Sequence, residues 1–264
     1  MRDSLPVGLT IAGSDSGGCA GIQADLLTFA ALGVFGTTAL TCLTAQNPRA
    51  VSAVVPLNAD FVTHQIQQVA TYFEVRALKT GMLFTHSIIE GVAHFIKAHP
   101  HVKAVVDPVM VASSGAPLLE RSGIAALKKQ LLPCATLLTP NLDEAALLLD
   151  RSLETLADLR DAASTLAQTY GTAVLVKGGH LDGAQLSDIL ASPDGSILEI
   201  LTCRRIHGID THGSGCTLSA AITAELAKGH SLIKAVQLGH AYLQRAFQQP
   251  LKLCGQSFLN HGVC

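Results

Sequence analysis

The chain has 264 residues, of which 48% are hydrophobic and 14% are charged, and its formal net charge is -2. High apolar content with low net charge excludes a disordered chain. A nucleic-acid-binding surface is not expected either, because 18 Lys and Arg residues face 20 Asp and Glu residues.

Apolar runs rich in β-branched residues predict strands that are buried on both faces of a parallel sheet. They are Val7–Ala12, Thr37–Leu43, Ala77–Thr80, Ala104–Asp107, Thr136–Thr139 and Ala173–Lys177. Helical patterns lie between and after these runs, at Ala20–Leu32, Ala59–Tyr72, Ser87–Ala98, Ser122–Leu131, Leu153–Tyr170, Gly213–Lys228 and Ser231–Gln248. The alternation predicts an α/β fold, a three-layer αβα sandwich with a mostly parallel central sheet.

Region Leu186–Arg205 differs from the rest, with two apolar runs around the turn Ser192–Gly195. Such a pattern predicts a hairpin and therefore an antiparallel edge on the sheet. No repeat or linker interrupts the chain, so we expect a single domain over residues 1–264.

The seven cysteines are odd in number, and none of them has the close spacing of a zinc site. The first residues lack a signal-peptide pattern, and no apolar run approaches the ~20 residues of a membrane span. These features predict a cytoplasmic protein with reduced thiols.

A glycine-rich stretch, Thr211–Gly215, opens a predicted helix, and we call it the anion loop. Gly213 and Gly215 allow the backbone to approach a ligand, and the amides of the first helical turn attract anions. Cys216 follows in that turn, where a lowered thiol pKa is expected. The alternative is a glycine-rich turn over a buried cysteine. Neither a Walker A lysine nor a G-x-G-x-x-G pattern is present, which argues against the classical nucleotide sites.

Polar residues follow the predicted strands, where ligands of parallel sheets bind. Asp107 and Glu144 have the oxygen ligands that Mg²⁺ prefers, and Lys177 could neutralise phosphate oxygens. Each alone is more often a solvated loop charge or a helix cap. Gln46 could present its amide to a heterocycle, whereas Asp25 could equally be a charge on a solvent-facing helix.

The histidines His180, His207 and His212 are not spaced as a metal set. We interpret them as surface or lid residues.

Seven motifs, in chain order, resemble those of the hydroxymethylpyrimidine/phosphomethylpyrimidine kinases of thiamin biosynthesis. They are Ile11–Asp25, Leu43–Asn47, Lys79–Leu83, Asp107–Met110, Thr139–Ala145, Val176–His180 and Thr211–Leu218. The resemblance runs from about residue 7 to about residue 247. It implies a ribokinase-like fold, MgATP as the phosphoryl donor, a homodimer, and two successive phosphorylations of a pyrimidine alcohol.

The resemblance also implies a role for each motif residue. Gln46 and Asp25 would bind the aminopyrimidine, in a pocket lined by Gly13, Met82 and Val109. Mg²⁺ would be held by Asp107 and Glu144, and ATP would be bound by Asn141, Lys177, Thr211 and Ser214. The amides of Gly213 and Gly215 would form an anion hole, with Cys216 as the base at the acceptor hydroxyl.

Three segments depart from the family pattern: Cys19 in place of a glycine, His207–Asp210 before the anion loop, and Leu253–Cys264. Two other functions remain open. One is a pyridoxal or pyridoxine kinase of the same fold, and the other is a catalytically silent pyrimidine-binding protein. The presence together of Asp107, Glu144, Lys177 and Cys216 argues against the silent protein.

Overall fold

A central sheet of nine strands organises the part of the chain that the computed structural model describes, residues 5–110, 119–179, 181 and 183–263. His180 and Cys264 lie outside these residues. The strands are β1 (Val7–Asp15), β2 (Phe35–Asn47), β3 (Ala50–Pro56), β4 (Val75–Thr80), β5 (Lys103–Val106), β6 (Leu137–Leu138), β7 (Ala173–Val176), β8 (Gln185–Ala191) and β9 (Ile197–Arg204). Their order across the sheet is β3-β2-β1-β4-β5-β6-β7-β8-β9.

The middle of the sheet is parallel and both of its edges are antiparallel. Strands β2, β1, β4, β5, β6 and β7 pair in parallel. At one end β7, β8 and β9 pair antiparallel, which confirms the hairpin predicted around Ser192–Gly195. At the other end β3 pairs antiparallel with β2.

Helices cover both faces of the sheet, which confirms the predicted three-layer sandwich. The helices are α1 (Gly21–Ala31), α2 (Ala59–Tyr72), α3 (His86–Ala98), α4 (Arg121–Ala126), α5 (Leu142–Leu149), α6 (Leu156–Tyr170), α7 (Ser214–Ala227) and α8 (Leu232–Gln248). Helices α1, α7 and α8 share one apolar core with the sheet, and α2, α3, α5 and α6 share the other. Within the described residues, no helix has the length and apolar character to cross a membrane.

Several elements differ from the prediction. The helix predicted over Ser122–Leu131 consists of α4 and a π-helical turn, Leu127–Leu131, followed by a 3-10 turn, Leu132–Cys134. Strand β3 was not predicted, although its valines follow the turn-forming pair Asn47 and Pro48. A small hairpin of β10 (Leu251–Leu253) and β11 (Gln256–Phe258) was also missed.

A buried ion pair joins α1 to the sheet below the ends of β1 and β4. Lys79 Nζ lies 2.7 Å from Asp25 Oδ1, and both side chains are 0% exposed. The second oxygen of Asp25 accepts a hydrogen bond of 2.6 Å from Thr10. Burial alone would lower the pKa of Lys79, but the charge and hydrogen bond of Asp25, together with nearby Cys216 and Asp107, outweigh burial and raise the pKa. Lys79 therefore remains charged inside the protein.

Replacing one member of this pair should leave an uncompensated buried charge. We expect Lys79→Met to reduce the free energy of unfolding by about 3–5 kcal/mol, measured by urea denaturation. The control is Arg76→Met, because Arg76 lies on the same strand and its ion pair with Glu74 is largely exposed. That variant should leave the free energy of unfolding nearly unchanged. A loss in Lys79→Met as small as that in Arg76→Met would contradict this account.

Candidate active site

A cavity of about 690 Å³ lies at the carboxyl ends of β1, β4, β5 and β7. Ligands of open parallel sheets usually bind at the carboxyl ends of the strands, and the volume of this cavity suits a small-molecule ligand. The sequence-predicted residues that line it are Gly13, Gln46, Met82, Asp107, Val109, Asn141, Glu144, Lys177, Thr211, Gly213, Ser214, Gly215 and Cys216.

Asp25 is the predicted site residue that the structure does not bring to the cavity wall. Its side chain is 0% exposed and is bonded to Lys79 and Thr10. No part of the carboxylate is accessible to a ligand. A direct contact of Asp25 with substrate therefore does not fit the structure, and neither does a solvent-facing charge.

An ion pair between β5 and β7 forms the floor of the cavity. Lys177 Nζ lies 3.0 Å from Asp107 Oδ1. A Cβ atom on Gly215 would stand 3.3 Å from Lys177 Nζ and 3.7 Å from Asp107 Oδ2, so the first turn of α7 rests directly on this pair. Burial works to lower the pKa of Lys177, but Asp107 and Glu144 raise it above its usual value. Lys177 is therefore a cation available to phosphate oxygens.

Glu144 lies in the first turn of α5, beside the same pair. The Asn141 side chain accepts from the Glu144 amide at 2.8 Å, and Glu144 Oε2 accepts from the Asn141 amide at 2.8 Å. This reciprocal capping box explains why the helix starts there and fixes both side chains at the cavity. Burial raises the pKa of Glu144 to about 7, with Asp107 adding to the increase and Lys177 opposing it.

Cys216 lies in the first turn of α7, as predicted, but its thiol is not acidic. Burial raises its pKa to about 11, and Asp25 and Asp107 add to the increase. Lys79 and a hydrogen bond with the backbone of Gly21 oppose it without reversing it. The expected lowering of the pKa was wrong, because desolvation of the thiolate outweighs the effect of the helix N-terminus.

The anion loop approaches a neighbouring segment so closely that Gly213 must lack a side chain. Its φ is +80°, and a Cβ atom there would stand 1.8 Å from the Cys19 carbonyl oxygen. Thr211 O accepts from the Ser214 amide at 3.0 Å, which closes the turn. Gly215 and Cys216 follow in the first turn of α7 and line the cavity, and the amides of a first helical turn have no partners within the helix.

Two residues at the cavity wall were missed as site residues by the sequence analysis. His212 Nε2 lies 2.9 Å from Gln46 Nε2 and 3.4 Å from Asp15 Oδ2, so it is part of the wall beside Gln46. Asp15 accepts from the amides of Gly17 and Ala20 at 2.7 and 2.8 Å and so shapes the loop after β1. Burial works to raise the pKa of Asp15, but hydrogen bonds from His212 and Gly17 outweigh it and lower the pKa. An Asp followed by Ser-Gly-Gly is a turn signature that could have revealed this role.

Comparison with known proteins agrees with this geometry. The sequence profile described as phosphomethylpyrimidine kinase matches residues 15–260. A hydroxymethylpyrimidine/phosphomethylpyrimidine kinase of Rhizobium meliloti is 48% identical over 241 residues, which cover 91% of this chain and 90% of that protein.

Solved structures give the same result. A phosphomethylpyrimidine kinase of Clostridium difficile superposes with a TM-score of 0.80 at 38% identity, over 92% of this chain and 99% of the other. An ADP complex of Bacillus subtilis pyridoxal kinase superposes with a TM-score of 0.89 at 38% identity, over 98% of both chains. The ribokinase-like fold is thereby confirmed, and the chain belongs to the phosphomethylpyrimidine kinase family.

Proposed function

We propose that this chain phosphorylates 4-amino-5-hydroxymethyl-2-methylpyrimidine with ATP and then phosphorylates the monophosphate, in thiamin biosynthesis. The observation that carries the proposal is the meeting, in one cavity, of an anion loop, the Lys177–Asp107 pair and the Gln46 amide. Membership of the family supports the choice of substrate, and the ADP complex of a similar kinase supports the nucleotide. One kinase domain, residues 1–264, would carry both steps.

The phosphate end of the cavity is assigned by charge. Lys177 and Asn141, with Thr211 and Ser214, would bind the nucleotide phosphates. The amides of Gly213 and Gly215 would stabilise, by hydrogen bonding, the negative charge that develops during transfer.

The carboxylates Asp107 and Glu144 fit a magnesium site. The described residues contain no cluster of three His, Cys, Asp or Glu side chains that could hold a metal alone. Mg²⁺ is usually bound by one or two carboxylates, with water and phosphate oxygens as the other ligands. When bound, it would neutralise charge on the phosphate oxygens. Asp107 is itself held by Lys177 and, at 3.4 Å, by the Ser219 hydroxyl.

The pyrimidine end of the cavity is assigned by shape and hydrogen bonding. Gln46 would pair with the aminopyrimidine, against a wall of Gly13, Met82 and Val109. Asp25 would act indirectly, because it holds Lys79 below Cys216. During the first transfer the substrate hydroxyl oxygen bonds to phosphorus, the bond from phosphorus to the ADP oxygen breaks, and the hydroxyl proton passes to the thiolate form of Cys216, which becomes a neutral thiol.

Coupled ADP release from the purified protein with MgATP tests the proposal. Hydroxymethylpyrimidine, its monophosphate and pyridoxal are offered in separate reactions. We expect turnover with both pyrimidines. Turnover with pyridoxal alone would establish the alternative, which the TM-score of 0.89 to a pyridoxal kinase keeps open. No turnover in any reaction would overturn the kinase proposal and favour a silent binding protein.

Cys216 should be needed for fast turnover. If it is the general base, Cys216→Ala should reduce kcat by about 10²-fold or more. Because burial raises the pKa of the thiol to about 11, the wild-type rate should increase with pH, by roughly tenfold per unit while the thiolate is the minor form. Cys216→Asp should remove most of this increase, since a carboxylate is ionised throughout that range. Near-native turnover of Cys216→Ala, or a flat wild-type profile, would exclude the role of base.

Gln46 should determine which heterocycle is accepted. We expect Gln46→Leu to reduce kcat/KM for the pyrimidine by about 10- to 100-fold, since a hydrogen-bonding partner of the ligand is lost, and to leave the KM for ATP unchanged. The matched control is Gln65→Leu, because Gln65 is bonded to the backbone of Leu40 away from the cavity. If both variants lose pyrimidine activity equally, Gln46 is not a recognition residue.

We also propose that the chain forms a homodimer, and the strand at one edge of the sheet, β3, supports this proposal. β3 is the last strand at that edge. Leu43 and Val55 are register partners across β2 and β3, and their exposed fractions are 46% and 59%. Apolar side chains at a sheet edge commonly mark a contact with another chain.

Light scattering should show a dimer for the wild type and a monomer for Val55→Asp. Leu251→Asp, at an exposed apolar position in the β10–β11 hairpin, is the control and should remain dimeric. A monomeric wild type would contradict the dimer.

We also propose a cytoplasmic location, because the six described cysteines are free thiols, which a reducing compartment preserves.

A further inference from the structure

The segment 256–263 packs behind the anion loop. The Asp210 amide donates to Ser257 O at 2.8 Å, just before the loop begins. Leu259, His261 and Val263 are buried, with exposed fractions of 1%, 4% and 2%. The His261 carbonyl accepts hydrogen bonds from Tyr242 on α8 and from Thr28 on α1. This segment is therefore an integral part of the fold on the side of the loop away from the cavity.

The His261 imidazole is the point where three segments meet. Its Nδ1 lies 2.7 Å from Thr217 Oγ1 on the first turn of α7. The ring also interacts with the backbone of Cys19, in the loop after β1. A Cβ atom on Gly213 would stand 3.0 Å from the ring and 1.8 Å from the Cys19 carbonyl oxygen. The ring thus fills the space between the two loops that border the cavity.

Burial determines the charge of the His261 ring, and its hydrogen-bonding partners determine which ring nitrogen carries the proton. Burial and nearby His212 lower the pKa of His261 to about 4, so the ring is neutral at physiological pH. A neutral imidazole has one donor and one acceptor. The Cys19 carbonyl can only accept, so it takes the ring N–H, and Nδ1 must then accept. The Thr217 hydroxyl, which lies 2.7 Å from Nδ1 and 3.0 Å from the Gly213 carbonyl oxygen, gives its single proton to the ring in this arrangement. Both loops are thereby linked through a single side chain.

We propose that His261 is a positioning residue for phosphoryl transfer, because it bridges the Cys19 carbonyl to the Thr217 hydroxyl and fixes the anion loop over the Lys177–Asp107 pair. His261 is not among the residues that line the cavity, so it acts on the reaction through α7 and the anion loop. The proposal rests on the proposed function for its kinetic part only. Small displacements of groups that stabilise a transition state reduce the rate strongly, whereas they change substrate binding less.

The test compares His261→Phe, Thr217→Val and the double variant. We expect each single variant to reduce kcat about tenfold or more, with the KM for the pyrimidine within about twofold of wild type. The double variant should be no slower than the slower single variant, because both remove the same contact. Amide hydrogen exchange of residues 211–217, measured without ligands, should be faster in all three variants.

The matched control is Thr223→Val. Thr217 and Thr223 lie on the same helix, are both 0% exposed, and each places its hydroxyl against the carbonyl four residues earlier. Thr223 bonds to Ser219 O, and no contact of Thr223 with His261 is present in the described structure. Thr223→Val should leave kcat within about twofold of wild type and the exchange of residues 211–217 unchanged.

His261→Gln keeps one donor and one acceptor and should recover most of the kcat that His261→Phe loses. If His261→Phe does not fold, His261→Gln and Thr217→Val carry the test. The proposal is overturned if the folded variants keep wild-type kcat and exchange, or if Thr223→Val reproduces their losses. If the wild type shows no turnover, the proposed function fails, but the exchange comparison still decides whether His261 holds the loop.

Discussion

Parallel pairing of β1, β4, β5, β6 and β7 is the constraint on which the site depends. Strands that run in one direction end at one edge, and Gly81, Asp107 and Lys177 directly follow three of them. The crossover helices must then begin near that edge as well. Helix α1, which crosses from β1 to β2, does so, and α7 begins at the same place although it follows the antiparallel strand β9. The residues at their starts, Gly21 and Ser214, line the cavity. Backbone amides and charged side chains therefore converge from segments that are far apart in the sequence.

This constraint explains why so much of the site could be predicted. Continuous β-branched runs identify buried parallel strands, and the residues that follow them must share one edge. Asp107 and Lys177 can be assigned to that edge from the amino-acid sequence alone. The capping pair Asn141 and Glu144 was also recognisable, since the same spacing starts a helix and presents a carboxylate.

The remaining features depend on packing between distant segments, which local patterns do not reveal. Asp25 has the position of a polar residue near a site, yet Lys79 and Thr10 surround its carboxylate completely. His212 reaches the wall because the turn at Asp210 directs it there, with the His212 amide donating to Asp210 at 2.9 Å. Two opposing influences act on the pKa of the Cys216 thiol, and only its surroundings in the folded chain determine that desolvation outweighs the helix N-terminus.

The contact between α1 and segment 256–263 also bears on the order in which parts of the chain fold. Thr28 and His261 are separated by 233 residues, and Tyr242 joins the same carbonyl. Contacts between residues so distant in the chain form late, because a long loop must close before they can contribute. On a ribosome, the sheet and most helices can assemble before residue 261 has emerged. The anion loop would then acquire its final geometry only after residue 261 has emerged, so a nascent chain could fold its sheet before its active site is competent.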